Sequence, residues 1–236
     1  MGIGLSDDYD CHVYLIDGGQ ELGLVDAGGG MGVPEILDHI RNDGFDPARV
    51  RHLILTHAHG DHAGGAARLV EALGGPRVYM HADSAAFVRD GNAEAVYLPQ
   101  AIEAGIYPAD YRFEACPVDV DLHEGDTISI GELTLRAIDT PGHCSGHMSF
   151  MMGHGGRNFF FGGDLVFFGG TILLQNIPDC DLQAQIQSLK KMRDAAVDVF
   201  LPGHLTFSLR NGQRHIDAAL KIIDGLLVPP NFTYGW

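Results

Sequence analysis

No stretch of this 236-residue chain supplies the ~18 or more consecutive apolar residues of a membrane-spanning helix. Its first residues, MGIGLSDDYD, lack the basic start and apolar centre of a secretion signal. A cytoplasmic protein without membrane association is the resulting expectation. Positive charge is scarce: 15 Lys and Arg stand against 31 Asp and Glu, a formal net charge of −16, and no Lys/Arg run offsets it locally. A polyphosphate backbone would be repelled, so nucleic acid is not expected as a partner. Cysteine is sparse too. Cys11, Cys116, Cys144 and Cys180 form no CxxC pair, which argues against a zinc ribbon or dithiol motif and leaves free thiols. Repeats, low-complexity tracts and linkers are lacking, so a single domain over residues 1–236 is expected.

What is present is an alternation of apolar, β-branched segments with amphipathic ones. CHVYLID (11–17) and LGLVDAG (22–28) read as strands joined at Gly18-Gly19, and VPEILDHIRNDG (33–44) as a helix with Pro34 near its start and Gly44 as its stop. A strand over 50–57, a helix over 62–75, a strand over 77–81 and two weaker helices within 82–110 follow. Strand-like segments at 127–139, 147–153 and 157–163 precede a helix at 181–195, a strand at 197–204 and a last helix through 215–227. Strands in both halves with helices between them indicate a layered α/β architecture. DAGGGMG (26–32) follows a strand and precedes a helix, but its spacing fits neither G-x-G-x-x-G nor G-x-x-x-x-G-K-[ST]. It reads as a turn rather than a phosphate loop.

The densest chemistry lies in ILTHAHGDHAGG (54–65), where His57, His59, Asp61 and His62 fall within six positions, at a strand end and on the turn into a helix. Positions 57 and 59 project the same way from strand-like backbone, and the turn brings Asp61 and His62 round beside them. Neutral imidazole and carboxylate are the donors that borderline divalent metals take. Four in one segment exceed what one ion draws from a single stretch, so the motif points to two adjacent ions. Further ligands must then come from elsewhere. His143 in DTPGHCSGH, Asp164 in FFFGGDLVF and His204 in VFLPGH each directly follow glycine, and the last two close apolar runs. His39, His52, His154 and His215 stand in helical, strand-start or turn contexts without partner donors and read as structural or solvated.

On these residues the chain resembles the metallo-β-lactamase fold hydrolase superfamily: HxHxDH at 57–62, then His143, Asp164 and His204 in the family's order. The resemblance implies a four-layer αββα sandwich with the metals along one edge. It implies that His57, His59 and His143 hold one metal, that Asp61, His62 and His204 hold the other, and that Asp164 bridges them. Asp26, in VDAG, is implied to support the site from behind the ligands. The cofactors implied are two divalent ions, zinc foremost, with iron or manganese as alternatives. Two close cations lower the pKa of a shared water from ~15.7 toward ~7, giving a bridging hydroxide as nucleophile, while one of them polarises the substrate carbonyl. Asp61 and Asp164 are the candidate catalytic residues, either of them passing the proton to the leaving group. The expected reaction is hydrolysis of a small acyl substrate, a lactone, thioester or ester. The expected partner is a small molecule, with a homo-oligomer left open.

Within the family, several departures narrow the substrate. Only 32 residues follow His204, short of the helical extension with which glyoxalase II binds glutathione. Asp164 stands where the most familiar β-lactamases have cysteine, and the −16 charge lacks the basic exosite of the family's ribonucleases. Phe167 replaces the catalytic tyrosine of the quorum-quenching lactonases, three residues after the bridging aspartate. A mononuclear iron persulfide dioxygenase, using only His57, His143 and Asp164, is the alternative from another reaction class. Specificity is expected from the segment between His62 and His143, where Phe87, Tyr97, Tyr107 and Phe113 are candidates to wall a cleft or simply to pack helices, and Arg89 and Arg112 to meet a carboxylate or solvent. Asn176 is a candidate donor to substrate. The tail VPPNFTYGW covers the site, meets another copy or frays, and Cys144, beside His143, is given no catalytic role.

Overall fold

The computed structural model describes Met1 and residues 5–232. Its contacts divide the chain into two compact units, residues 1–122 with 129–132, and residues 123–128 with 133–236. Each has its own apolar core. The mixed α/β class expected from the alternation of patterns is the one observed.

The first unit contains a five-stranded sheet whose spatial order follows the chain: β1 (Tyr14–Asp17), β2 (Leu22–Val25), β3 (Val50–Ile54), β4 (Arg77–His81) and β5 (Val120–Leu122). Only the β1–β2 hairpin is antiparallel. Parallel neighbours need crossovers, and helices supply them. Helix α1 (Val33–Asn42) has Pro34 in its first turn and buries Val33, Ile36 and Ile40, one stripe of a 3.6-residue period. β2 is buried along its whole length, as a central strand of such a sheet requires. β5 escaped the sequence reading because three residues, one of them exposed, carry too little periodicity to show.

The helix expected over 62–75 is two helices, α2 (Gly60–Ala63) and α3 (Ala66–Leu73). The interruption has a steric cause. The Gly65 amide donates to the Gly28 carbonyl at 2.8 Å, and a Cβ at position 65 would lie 2.1 Å from the Ala27 carbonyl oxygen. No side chain fits where two backbones come this close. The loop approaching Gly65 is DAGGGMG itself, and the anion it wraps is internal: the Gly29 amide donates to Asp10 at 2.8 Å, and Ser6 donates to the same buried carboxylate. Farther along, α4 (Ala82–Arg89) and α5 (Leu98–Glu103) are the two helices expected within 82–110, α5 starting after Tyr97 in a left-handed conformation.

In the second sheet the order is β10-β9-β8-β7-β6. These are β6 (Thr127–Ile130), β7 (Leu133–Asp139), β8 (Met148–His154), β9 (Arg157–Gly163) and β10 (Val199–Pro202). The segment expected as one strand over 127–139 is thus two, with Gly131 and Glu132 between them. β7, β8 and β9 pair antiparallel, and β10 joins β9 in parallel. Helices α6 (Leu182–Lys191) and α7 (Gln213–Asp224) belong to this unit. Among the described residues no helix is long and apolar enough to cross a membrane.

His215, buried on α7 with Ile216, Ala219, Leu220 and Ile223, is structural, as its context suggested. The Gly169 amide donates to its Nδ1 at 3.0 Å, so the neutral ring carries its proton on Nε2, toward Ser208 Oγ at 2.8 Å. Burial, with the Arg214 charge second, holds its pKa below the ordinary 6.5. Below that value the unfolded chain binds a proton that the folded chain refuses, so stability falls as pH drops. His215→Gln is therefore expected to lose less stability than the parent between neutral pH and pH ~5. Urea midpoints of both proteins across that range measure the difference. His52 is structural too, but it is not without partners: its ring meets Tyr79 Oη at 3.0 Å and Glu21 at 3.1 Å.

Candidate metal centre

Each unit carries its own donors. In the first, β3 runs on through Leu55 and Thr56, both buried, so that His57 emerges from the sheet interior and is itself fully buried. His57 Nε2 and His59 Nδ1 lie 3.1 Å apart. That separation is the length of a direct N–H···N hydrogen bond and is close to the ~3.3 Å between two nitrogens that one tetrahedral zinc would hold. His62, fully buried on α2, has Nε2 3.7 Å from Asp61 Oδ2.

The rings are aimed by the groups behind them. Asp26 Oδ2 accepts from His62 Nδ1 at 2.9 Å, and its carboxylate also accepts from the Thr56 amide at 2.8 Å and from Thr56 Oγ1. With its own proton spent on Asp26, Thr56 Oγ1 accepts from His57 Nδ1 at 3.1 Å. Both imidazoles thereby keep their protons on Nδ1 and present Nε2 as a lone pair, the form in which histidine binds metal. Asp26 occupies a left-handed backbone conformation (φ 65°), a small local strain that turns its carboxylate inward. Cys11 Sγ lies within 4.8 Å of the Asp26 and His62 donors, but those two are already bonded to each other and burial pushes the thiol up to about 12. It packs behind the site as a neutral group.

Asp61, a quarter exposed, accepts from Tyr107 Oη at 3.2 Å. Burial raises the Tyr107 pKa well above 10, so its hydroxyl stays protonated and remains a donor. Tyr111 stacks on Tyr107 at 4.7 Å and donates to the carbonyls of Gly29 and Gly60, bracing the turn. Of the aromatic cleft candidates, Tyr107 thus touches a site residue through its hydroxyl, which pattern alone did not reveal. Phe113 is core and Phe87 packs against it. Arg89 is engaged by the Val118 carbonyl and Asp121, and Arg112 by the carbonyls of Ala109 and Tyr111.

In the second unit Asp164 Oδ2 lies 3.6 Å from His143 Nε2 and 3.5 Å from His204 Nε2. One carboxylate oxygen faces two imidazoles, and all three residues are nearly inaccessible. His143 Nδ1 donates to the Leu173 carbonyl at 3.1 Å, again leaving Nε2 as the lone pair. The motif DTPGHCSGH contains a second histidine, and the structure separates their roles. His147 Nε2 accepts from the Asp164 amide at 2.9 Å, its Nδ1 meets Thr140 Oγ1 at 2.9 Å, and the chain continues through Ser149 Oγ to the Gly162 carbonyl. His147 is occupied in holding the backbone of Asp164. Sequence reasoning passed over it; its place in the same GHxxGH stretch was the available signal. Cys144 is buried and Asn176 exposed. The tail folds back on this unit: Asn231 bonds both backbone groups of Leu174, and Phe232 meets Phe167, whose ring lies 6.1 Å from His204. Residues 233–236, with Tyr234 and Trp236 of the aromatic tail, lie outside the described residues.

Buried histidines with Nε2 left as a lone pair, beside aspartates, fit divalent metal, and with the likenesses below they mark the chain as a metal-dependent hydrolase. The chain belongs to the metallo-beta-lactamase superfamily, whose family model matches residues 6–204. It is 32% identical over 208 residues to the acyl-coenzyme A thioesterase MBLAC2 of Gallus gallus, covering 82% of this chain and 72% of that protein. It is 27% identical to an atrochrysone carboxyl ACP thioesterase of Aspergillus terreus, where the match covers 82% of this chain and 48% of the relative, so the chain spans about half the length of that fungal protein. Among solved structures, a metallo-beta-lactamase of Cronobacter sakazakii matches with TM-score 0.67 at 28% identity over 82% of this chain and 74% of that one. The MIM-2 metallo-beta-lactamase matches with TM-score 0.70 at 25% identity over 92% and 83%.

Proposed function

We propose that the protein is a dinuclear metal-dependent hydrolase of a small acyl substrate, with a thioester as its first substrate class and a lactone or ester behind it. The observation that supports this reading is a carboxylate between two imidazoles: Asp164 Oδ2 faces His143 Nε2 and His204 Nε2 at nearly equal distances, as a ligand shared by two ions would. The names of the relatives in chicken and Aspergillus support the thioester. In the ligand assignment carried over from the family, His57, His59 and His143 would hold one ion and Asp61, His62 and His204 the other. Zinc suits this set of neutral imidazoles and carboxylates. Bound divalent ions supply Lewis acidity, which polarises an acyl carbonyl and acidifies water.

The chain's own groups do the rest. Asp26 and Thr56 keep the Nδ1 protons of His62 and His57 in place, and Tyr107 orients Asp61. Asp61, more exposed than Asp164, is the carboxylate that would take the proton of the attacking water and hand it to the departing thiolate. Just past His204, Leu205 and Phe207 expose apolar surface, which suits the acyl portion of a substrate better than a charged headgroup. The partner is accordingly read as a small molecule.

Elemental analysis of protein purified without added metal, paired with assays on acyl thioesters and lactones, tests the proposal. About two zinc per chain with thioester turnover is the expected result. One iron per chain, with oxygen uptake on a persulfide and no hydrolysis, overturns it in favour of the dioxygenase.

A further inference from the structure

A helix packed on a sheet ordinarily buries a stripe of Leu, Ile and Val, but α6 buries Gln185 and Ser188 beside Leu189. Gln185 is wholly inaccessible. Its Nε2 donates to the carbonyl of Leu165, the residue after Asp164. That acceptor settles the orientation of the amide and leaves Oε1 buried with no hydrogen-bond partner among the described residues. A Met of the same length would fill the space without the unpaired Oε1 but would give up the bond to the Leu165 carbonyl, so packing alone does not account for the amide. What the amide alone adds is a bond to the turn that carries Asp164.

Two neighbouring contacts reach the turn that carries His143. Ser188 Oγ donates to the Pro141 carbonyl at 2.6 Å, and the Asp181 amide, at the start of α6, donates to the Gly142 carbonyl at 2.8 Å. Gly142 (φ 141°) lies directly against Gln185, where a Cβ would come 2.3 Å from its Cα and 2.4 Å from its Oε1. One face of α6 therefore grips the residues before His143 and the residue after Asp164.

We propose that Gln185 is a positioning residue, assisted by Ser188: it holds the His143 and Asp164 turns at the spacing that metal retention requires. This rests on the reading of His143 and Asp164 as metal ligands.

The test is Gln185→Met, read by the thermal midpoint of the metal-free protein, by chelator competition for bound metal, and by kcat and KM. The metal-free variant is expected to melt within a few degrees of the parent, since the unpaired Oε1 is gone while the Leu165 carbonyl loses its donor. Metal is expected to leave at roughly tenfold lower chelator, within the range that support behind ligands contributes, with kcat reduced and KM little changed. Unchanged metal retention overturns the proposal. So does a fall in metal-free stability that parallels the loss of metal, which is what a merely structural role predicts. Ser188→Ala, expected to shift chelator competition in the same direction by less, decides the matter if Gln185→Met does not fold; no shift there overturns it. His143→Ala, run alongside, separates the two readings. If it keeps the parent's metal content, the ligand assignment itself fails, and the proposal with it.

Discussion

Asp61→Asn is expected to lower kcat by at least ~100-fold, the upper end of what loss of support behind a metal ligand costs, because on the proposed assignment it removes a ligand rather than a support. The fold is expected to survive, with the thermal midpoint of the metal-free protein within a few degrees of the parent. Asp61 is a quarter exposed, so no buried charge is stranded, and Asn keeps an oxygen to accept from Tyr107 Oη. The Cys11 amide bonds to the backbone carbonyl of Asp61, a contact the substitution leaves alone. What Asn cannot do is offer a carboxylate to an ion or accept a proton there. Steady-state kinetics on the best thioester, with metal content measured on the same sample, is the check. Full activity in the variant would remove Asp61 from the mechanism.

The HxHxDH stretch was legible because its information is local. Four donors within six residues need no knowledge of what packs behind them, and glycines mark the remaining three candidates. The fold class was legible for a similar reason, since buried runs such as LGLV and the 3.6-residue stripe of α1 carry their periods in the sequence. The missed features depend on distant approach. The break between α2 and α3 arises because Gly65 meets a backbone almost forty residues earlier in the chain. Tyr107 and Phe113 look alike as aromatic residues of the segment between His62 and His143, and only the folded chain puts one hydroxyl on Asp61. His147 and His143 sit four residues apart, each directly after a glycine, and their roles separate only when the Asp164 amide is seen to occupy one of the rings.

Asp26→Asn probes the other kind of contribution, made by a residue that touches no substrate. The left-handed conformation at this position is one that Asn tolerates, so the backbone is not disturbed. Its oxygen can still accept from the Thr56 amide. The position facing His62 Nδ1 is where the substitution acts. An amide NH2 there cannot accept the imidazole proton, so the ring moves its proton to Nε2 and the lone pair that faced the ligand position is lost. Thr56 loses part of its acceptor as well, which loosens the hold on His57. Metal affinity is expected to fall 10–100-fold, with turnover falling accordingly and recovering in part as metal is added in excess. Chelator competition gives the affinity, and imidazole nitrogen shifts in the metal-free protein give the tautomer. A variant with the parent's tautomer and weaker metal would place the role of Asp26 in its charge; a switched tautomer would place it in the direction of one hydrogen bond.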